Sequence, residues 1–347
     1  MKYFKTSLIA ALSLGCACVQ PSLADGAGRM LFVNGGTGRV IVAGIDKNGY
    51  FQTSYDVTTA AFVGMDSVIP TSAGAILYSY YGGGARAILL DGDGAINPGS
   101  SYNFSKQWYY SIGDGNHTLF YDLAGNGGDG AVVASYPDGT LRQTFSSTSF
   151  THWTLLGKTE NFLFWYRSSD GLFVTGDINV AGQLTQDTRA ATTKTGYTNI
   201  AAVGDDILLW NVNSGAWESG AISFSGTTSA YVATAGGSTN SLGLAGVDVA
   251  AQTNGRLFLY ASATGAALTG HFVEPLQSAG KPGLFLKDQS FTLGKYYTSA
   301  LRCGQFLTLY GYGTGQIQVG YVGFDGKFQP TQGFTLGGGL SVAATGS

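Results

Sequence analysis

The chain has three histidines, His117, His152 and His271, and no spacing places two of them on one strand. A His/Cys metal site therefore has no local signature. There is also no Gly-x-Ser-x-Gly elbow, no Walker loop and no Rossmann-type strand-loop-helix. Carboxylates suited to paired acid–base work are plentiful, but the sequence singles out no pair. Asp91-Gly92-Asp93-Gly94 opens as a calcium loop does, with alternate carboxylates and a glycine turn. The loop then fails to continue, because Ala95-Ile96-Asn97 adds no acid and no late glutamate closes the shell. Asp91 and Asp93 remain the metal candidates, for a structural calcium, and a hairpin turn is the plainer reading. No other cofactor is expected.

The elements that position such residues emerge from a repeat. A short apolar run ends at Val33, Tyr78, Tyr121, Trp165, Trp210, Tyr260 and Tyr310, with about 45 residues between successive members. A glycine follows each near five residues on: Gly38, Gly83, Gly127, Gly171, Gly215, Gly265 and Gly315. Asp46-Lys47-Asn48-Gly49, Asp91-Gly92-Asp93-Gly94, Pro137-Asp138-Gly139 and Asp325-Gly326 mark a second turn in the same register. Such a unit cannot bury its own apolar face, so repetition implies neighbours that do. Seven units predict an all-β, seven-bladed β-propeller. The mature chain begins almost at once with the strand Arg29-Met30-Leu31-Phe32-Val33 and its final unit stops at Gly339-Leu340-Ser341-Val342-Ala343-Ala344, so the two terminal strands are expected to complete one blade together. A β-sandwich does not accommodate seven copies in register.

An aromatic repeated in every unit is expected to pack between blades. Aromatics that break the pattern near turns are the ligand candidates: Tyr80, Tyr81, Trp108, Tyr109, Trp153 and Trp217. Flat rings with nearby amides suit the C–H faces of a sugar. The longest insertions, Thr234 to Asn240 and His271 to Pro282, are expected to build one face.

The chain has 54 glycines and 7 prolines in 347 residues, which suits a turn-rich β protein. The formal charge is −3 with no basic stripe, which argues against a nucleic-acid partner. Met1 to Ala24 reads as a signal peptide, with Lys2 and Lys5 before an apolar segment and Ser22-Leu23-Ala24 before cleavage. That segment is too short to span a bilayer, so residues 25–347 form one exported domain without a membrane segment, periplasmic or at the cell surface. Cys16 and Cys18 leave with the leader, and Cys303 is read as a small core residue.

The Leu-Phe-Trp/Tyr strand together with Gly44-Ile45-Asp46-Lys47-Asn48-Gly49-Tyr50-Phe51 resembles the repeats of secreted, tachylectin-like propellers. That resemblance implies a lectin with shallow sugar sites, and it carries over no individual binding residue. The expectation is therefore a carbohydrate-binding protein, not an enzyme, recognising surface or matrix glycan. A structural or protein-interaction role at the cell envelope is the first alternative. A glycan-active hydrolase or lyase with a composite site at the central channel is the second.

Overall fold

A computed structural model describes residues 28–72, 74–92, 94–104, 107–122, 129–147, 153–225, 228–273 and 282–345. The proposed leader, Asp93 and His152 lie outside them. Seven four-stranded antiparallel sheets form seven blades. Blade 1 holds β1 (Arg29–Asn34), β2 (Arg39–Ile45) and β3 (Phe51–Thr58); blade 2 holds β4 (Ser67–Thr71), β5 (Gly74–Tyr78), β6 (Gly84–Leu90) and β7 (Ile96–Asn103). Blade 3 follows with β8 (Tyr110–Asp114), β9 (His117–Tyr121), β10 (Gly130–Ser135) and β11 (Leu141–Ser147). Blade 4 runs through β12 (Leu155–Lys158), β13 (Leu163–Arg167), β14 (Leu172–Ile178) and β15 (Leu184–Thr192). Next come β16 (Asn199–Val203), β17 (Asp206–Trp210), β18 (Trp217–Ser225) and β19 (Thr228–Gly237) of blade 5. Blade 6 has β20 (Val249–Thr253), β21 (Arg256–Tyr260), β22 (Ala266–Phe272) and β23 (Phe285–Thr292). Blade 7 has β24 (Ser299–Cys303), β25 (Phe306–Tyr310), β26 (Gln316–Val322) and β27 (Phe328–Thr335).

The last strand, β28 (Ser341–Thr345), returns to blade 1 and pairs with β1 from Arg29↔Thr345 to Val33↔Ser341. The predicted propeller and its closure by the two terminal strands are both observed. The first strands β4, β8, β12, β16, β20 and β24, with β28, touch one another in sequence around the axis. The last strand of each sequence unit is thus the innermost strand of the following blade.

Seven apolar cores fill the seven gaps between blades. A strand's side chains alternate between its two faces, and the second strand of a blade is covered on both. Its apolar run is consequently continuous, as in Ile207-Leu208-Leu209-Trp210, all fully buried. Val33, Tyr78, Tyr121, Trp210, Tyr260 and Tyr310 each face the next blade. In blade 4 the equivalent residue is Tyr166, not Trp165, because Leu155 pairs with Tyr166 as Ser67 pairs with Tyr78. Trp165 faces backwards into the gap shared with blade 3. The column does more than pack. The Tyr78 and Tyr121 hydroxyls accept from the N–H of Trp108 and Trp153 at 2.7 and 2.8 Å, and the Trp210 indole donates to Val247 O at 3.0 Å. Each bond ties down the segment leading into the next blade.

A second repeat runs around the periphery. Outer strands carry a β-bulge, and the bulged residue reaches the glycine turn of the following blade. Thr144 donates to Gly182 O at 2.9 Å, and Thr331 donates to Gly49 O at 2.7 Å across the seam between blades 7 and 1. Glycine is required at these turns twice over. Gly182 has φ +74°, and a Cβ there would lie 2.3 Å from Thr144 Oγ1. Gly115 has φ +58° with nothing within 4 Å of a Cβ. Gly182→Ala should therefore lower stability by about 2–4 kcal/mol, and Gly115→Ala by about 1 kcal/mol or less. Urea unfolding of both variants checks this, and equal losses would remove the latch as the reason for the glycine.

Among the described residues, no helix is long and apolar enough to cross a membrane. Cys303 is buried, as read from the sequence. The two insertions do not share a face. The first is β-strand as far as Gly237 and then loops into the passage from blade 5 to blade 6, whereas the described ends of the second, Val273 and Pro282, lie between β22 and β23 at the opposite end, and residues 274–281 lie outside the described residues.

Candidate functional site

Two kinds of loop share one face of the ring: those joining the middle strands of a blade and those passing from one blade to the next. Where blades 2 and 3 meet on this face, Tyr80, Tyr81 and Tyr109 converge. The Tyr80 ring stands edge-on to Tyr81 at 5.1 Å and to Tyr109 at 4.9 Å, and Tyr81 is 66% exposed. The Gln107 amide donates to Tyr81 O at 2.8 Å. Burial, then the hydrogen bond to Tyr109, pushes the Tyr80 hydroxyl above the ordinary tyrosine range, so it stays a neutral donor.

Two carboxylates flank these rings. Asp66 stands immediately before β4, and its Oδ1 accepts from Tyr80 N at 2.9 Å. Asp122 follows β9 directly and is buried. Both act on Tyr78, whose hydroxyl burial pushes up to about 12, with Asp66 and Asp122 adding to the rise against the Trp108 N–H. Burial also raises the Asp66 carboxyl above its ordinary range, against the Tyr80 N–H that lowers it. A half-buried carboxyl held this way gives and takes a proton closer to neutrality than a free aspartate.

The other aromatic candidates lie elsewhere. Trp108, Trp153 and Trp217 are buried in three different interblade cores. Trp153 is covered by the Arg167 guanidinium at 5.6 Å, and the Trp217 indole donates to Ser241 Oγ at 2.9 Å. These three rings present no open face to a ligand. Asp91 is engaged by its own turn: Oδ1 accepts from Ala95 N at 2.8 Å, while the Arg29 guanidinium donates to the carbonyls of Asp91 and Gly92. Asp93 lies outside the described residues. Among the described residues no three His, Cys, Asp or Glu side chains gather closely enough to hold a metal ion.

Asp66 and Asp122 were not singled out by sequence, though a faint signal exists for Asp66. A residue fourteen positions ahead of the N–H it caps recurs as Asp66, Thr154, Thr198, Asp248 and Thr298. Its bland function is to cap that loop; Asp66 does so beside the exposed Tyr81 and Thr298 does so for the exposed Tyr312, but of these two only Asp66 is a carboxylate. On the opposite face, His271 Nδ1 lies 2.6 Å from Asp288 Oδ1, and Arg256 Nε donates to Asp288 Oδ2 at 2.9 Å. Asp288 occupies the bulge position of β23, and Arg256 also reaches Phe324 O at 3.1 Å, so this cluster ties blade 6 to blade 7.

Glu218 is a third buried carboxyl, closed in by Tyr197 and Tyr231 between blades 4 and 5. Burial raises its carboxyl above the usual glutamate range despite the backbone N–H of Lys194 and the two tyrosines. Its folded-state affinity for a proton exceeds the unfolded one, so stability falls as pH rises from the ordinary glutamate value through the raised one. Glu218→Gln should match wild type in melting temperature at pH 4 and exceed it at pH 8. A deficit at pH 8 would mean that the folded protein favours the ionised form.

No protein-family description and no curated protein matches this chain. Solved structures do. A protein of Bacteroides fragilis provisionally assigned as a 6-phosphogluconolactonase superposes with a TM-score of 0.68 at 13% identity, covering 93% of this chain and 99% of its own. A counterpart from Bacteroides uniformis, assigned the same way, gives 0.68 at 12% identity over 92% of this chain and 100% of its own. The periplasmic gluconolactonase PpgL of Pseudomonas aeruginosa gives 0.66 at 14%, over 91% and 98%. At such identities the likeness establishes the fold. It also corrects the resemblance drawn from the repeat. These three propellers bear lactonase names, not lectin ones, so the tachylectin-like assignment, the carbohydrate-binding reading and the expectation of no enzymatic activity are set aside.

Proposed function

We infer that the protein hydrolyses a cyclic ester of a sugar acid on the loop face of blades 2 and 3. The observation that carries this reading is the half-buried Asp66 carboxyl, raised by burial and set beside Tyr80, Tyr81 and Tyr109. Lactone hydrolysis needs a base to take a proton from the attacking water, a donor for the carbonyl oxygen as it turns negative, and an acid for the departing ring oxygen. Asp66 in its ionised form takes the water proton and returns it to the ring oxygen. A neutral hydroxyl of the Tyr80–Tyr109 pair donates to the oxyanion, and the exposed Tyr81 ring carries the C–H face of the substrate. The charge of ionised Asp66 disfavours a second anion beside it, which favours an uncharged lactone over a phosphorylated one.

The lactonase names of the similar structures support the reaction class, and the periplasmic one, with the leader read at Met1 to Ala24, supports an exported location. The test is acid release from glucono-δ-lactone and its 6-phosphate, followed by pH-stat above the spontaneous rate. Faster release from the unphosphorylated lactone is expected. Release from neither above the buffer rate would overturn the reading.

A further inference from the structure

Five passages between blades make the same turn. The backbone N–H of Gly64, Gly196, Gly246, Tyr296 and Gly339 donates to the carbonyl of Gly35, Ser168, Val212, Ser262 and Tyr312 respectively, at 2.6–2.9 Å. Each acceptor sits two residues past the aromatic column. All five donors adopt positive φ, from +73° to +86°, and four are glycine. Tyr296 is the exception, at φ +73° with a ring 61% exposed. A bulky residue in the left-handed region is a true outlier, tolerated only when its surroundings hold it there. Its own N–H bond to Ser262 O and the close approach of its carbonyl to Gly311 hold it. The neighbouring Tyr297 supplies the core contact beneath, its ring tilted by 55° against Tyr260 at 5.9 Å, so the Tyr296 ring is not needed for packing. Tyr312, 41% exposed, lies on the adjoining loop of blade 7.

We propose that Tyr296 is a ligand contact and that the substrate is larger than one lactone ring: a sugar-acid lactone joined to a further sugar, whose apolar face stacks on Tyr296. This rests on the lactone-hydrolysing reading. Tyr80, Tyr81 and Tyr109 occupy the arc of blades 2 and 3, while Tyr296 occupies the passage from blade 6 to blade 7 on the same face. A ligand touching both must span the mouth. Binding realised away from the reacting bond lowers KM without altering the chemical step.

The test compares glucono-δ-lactone with maltobiono-δ-lactone on wild type, Tyr296→Gly and Tyr296→Asn, the last tolerating positive φ while removing the phenol. Wild type should favour the disaccharide lactone by about tenfold in kcat/KM. Both variants should lose that preference through a raised KM, with kcat and the single-ring lactone unaffected. Tyr296→Gly should also melt about 2 °C higher, since strain leaves with little packing. Calorimetric titration with maltobionate provides a readout that needs no turnover, and its binding should weaken in both variants. Unchanged disaccharide KM in both variants, with Asp66-dependent turnover intact, overturns this inference and leaves the lactonase reading standing. If neither lactone turns over, the lactonase reading falls, and maltobionate binding that is absent or indifferent to Tyr296 overturns the inference as well.

Discussion

Asp66→Asn lowers kcat/KM for the lactone by about 10²–10⁴-fold and leaves the protein at least as stable as wild type at neutral pH. The first half is the ordinary worth of a positioned general base. The second follows from the direction of the Asp66 shift. Burial raises this carboxyl, so the ionised form is the disfavoured one in the folded state, and the stability it costs grows as pH rises through the raised value. Asparagine removes the charge and retains an oxygen for Tyr80 N, now 2.9 Å from Oδ1. Loss of activity with no loss of melting temperature is the mark of a functional carboxylate as opposed to a structural cap. Asp248 supplies the control, because its Oδ1 caps Ser262 N at 2.8 Å in the equivalent loop of blade 6. Asp248→Asn should leave turnover unchanged. In wild type the acid limb of kcat/KM should lie above the ordinary aspartate range, and the residual activity of Asp66→Asn should lack it. Asp66→Asn activity within twofold of wild type would remove Asp66 from the reaction.

The blade count and the seam were legible because they rest on what a buried strand must be. A second strand covered on both faces reads as a continuous apolar run, and seven such runs at one spacing leave few architectures open. Register was less secure. Trp165 and Tyr166 are adjacent and both large and apolar, and only the pairing of Leu155 with Tyr166 decides between them. The peripheral latch was invisible for a related reason. Thr144 and Thr331 act from bulges, and a bulge is a slip in pairing that a threonine among strand residues does not announce. The candidate aromatics part by burial. Trp108 and Trp153 break the repeat and stand near turns, yet each lies two residues before an inner strand, where its ring drops into the core and its backbone N–H is taken by a tyrosine of the preceding blade. Tyr80 and Tyr109 stay half-buried and Tyr81 exposed, because they stand over the core of blades 2 and 3 and not within it. The half-burial that raises the Asp66 carboxyl comes from its neighbours in the folded ring, and no linear pattern states burial.

A chain ending at Leu340 should lose cooperative folding, although it discards none of the other 27 strands. β28 pairs with β1 along its whole length and buries Ala344 against the core of blades 7 and 1, with Ala343 buried on its other face. Without it β1 becomes the inner edge of blade 1, and Met30 to Val33, fully buried in the closed ring, line an open seam. An unpaired apolar edge invites pairing with another chain. The loss removes a whole strand partner and opens two interblade gaps, on the order of the 5–15 kcal/mol that holds a domain together. Oligomers in size-exclusion chromatography and a broad, low-amplitude thermal transition are expected. A circular permutant separates the loss of the strand from the change of ends. Thr345 lies opposite Arg29, so a two-residue link such as the Gly115-Asn116 turn between β8 and β9 would join them as a hairpin. New ends placed in the Gly337–Gly339 loop then make every blade contiguous in sequence. That permutant should remain monomeric and melt as one transition near the wild-type temperature. A truncated chain that stays monomeric with a wild-type midpoint would show that β28 merely rests on the ring, and that the other six blades and β1 to β3 close it unaided.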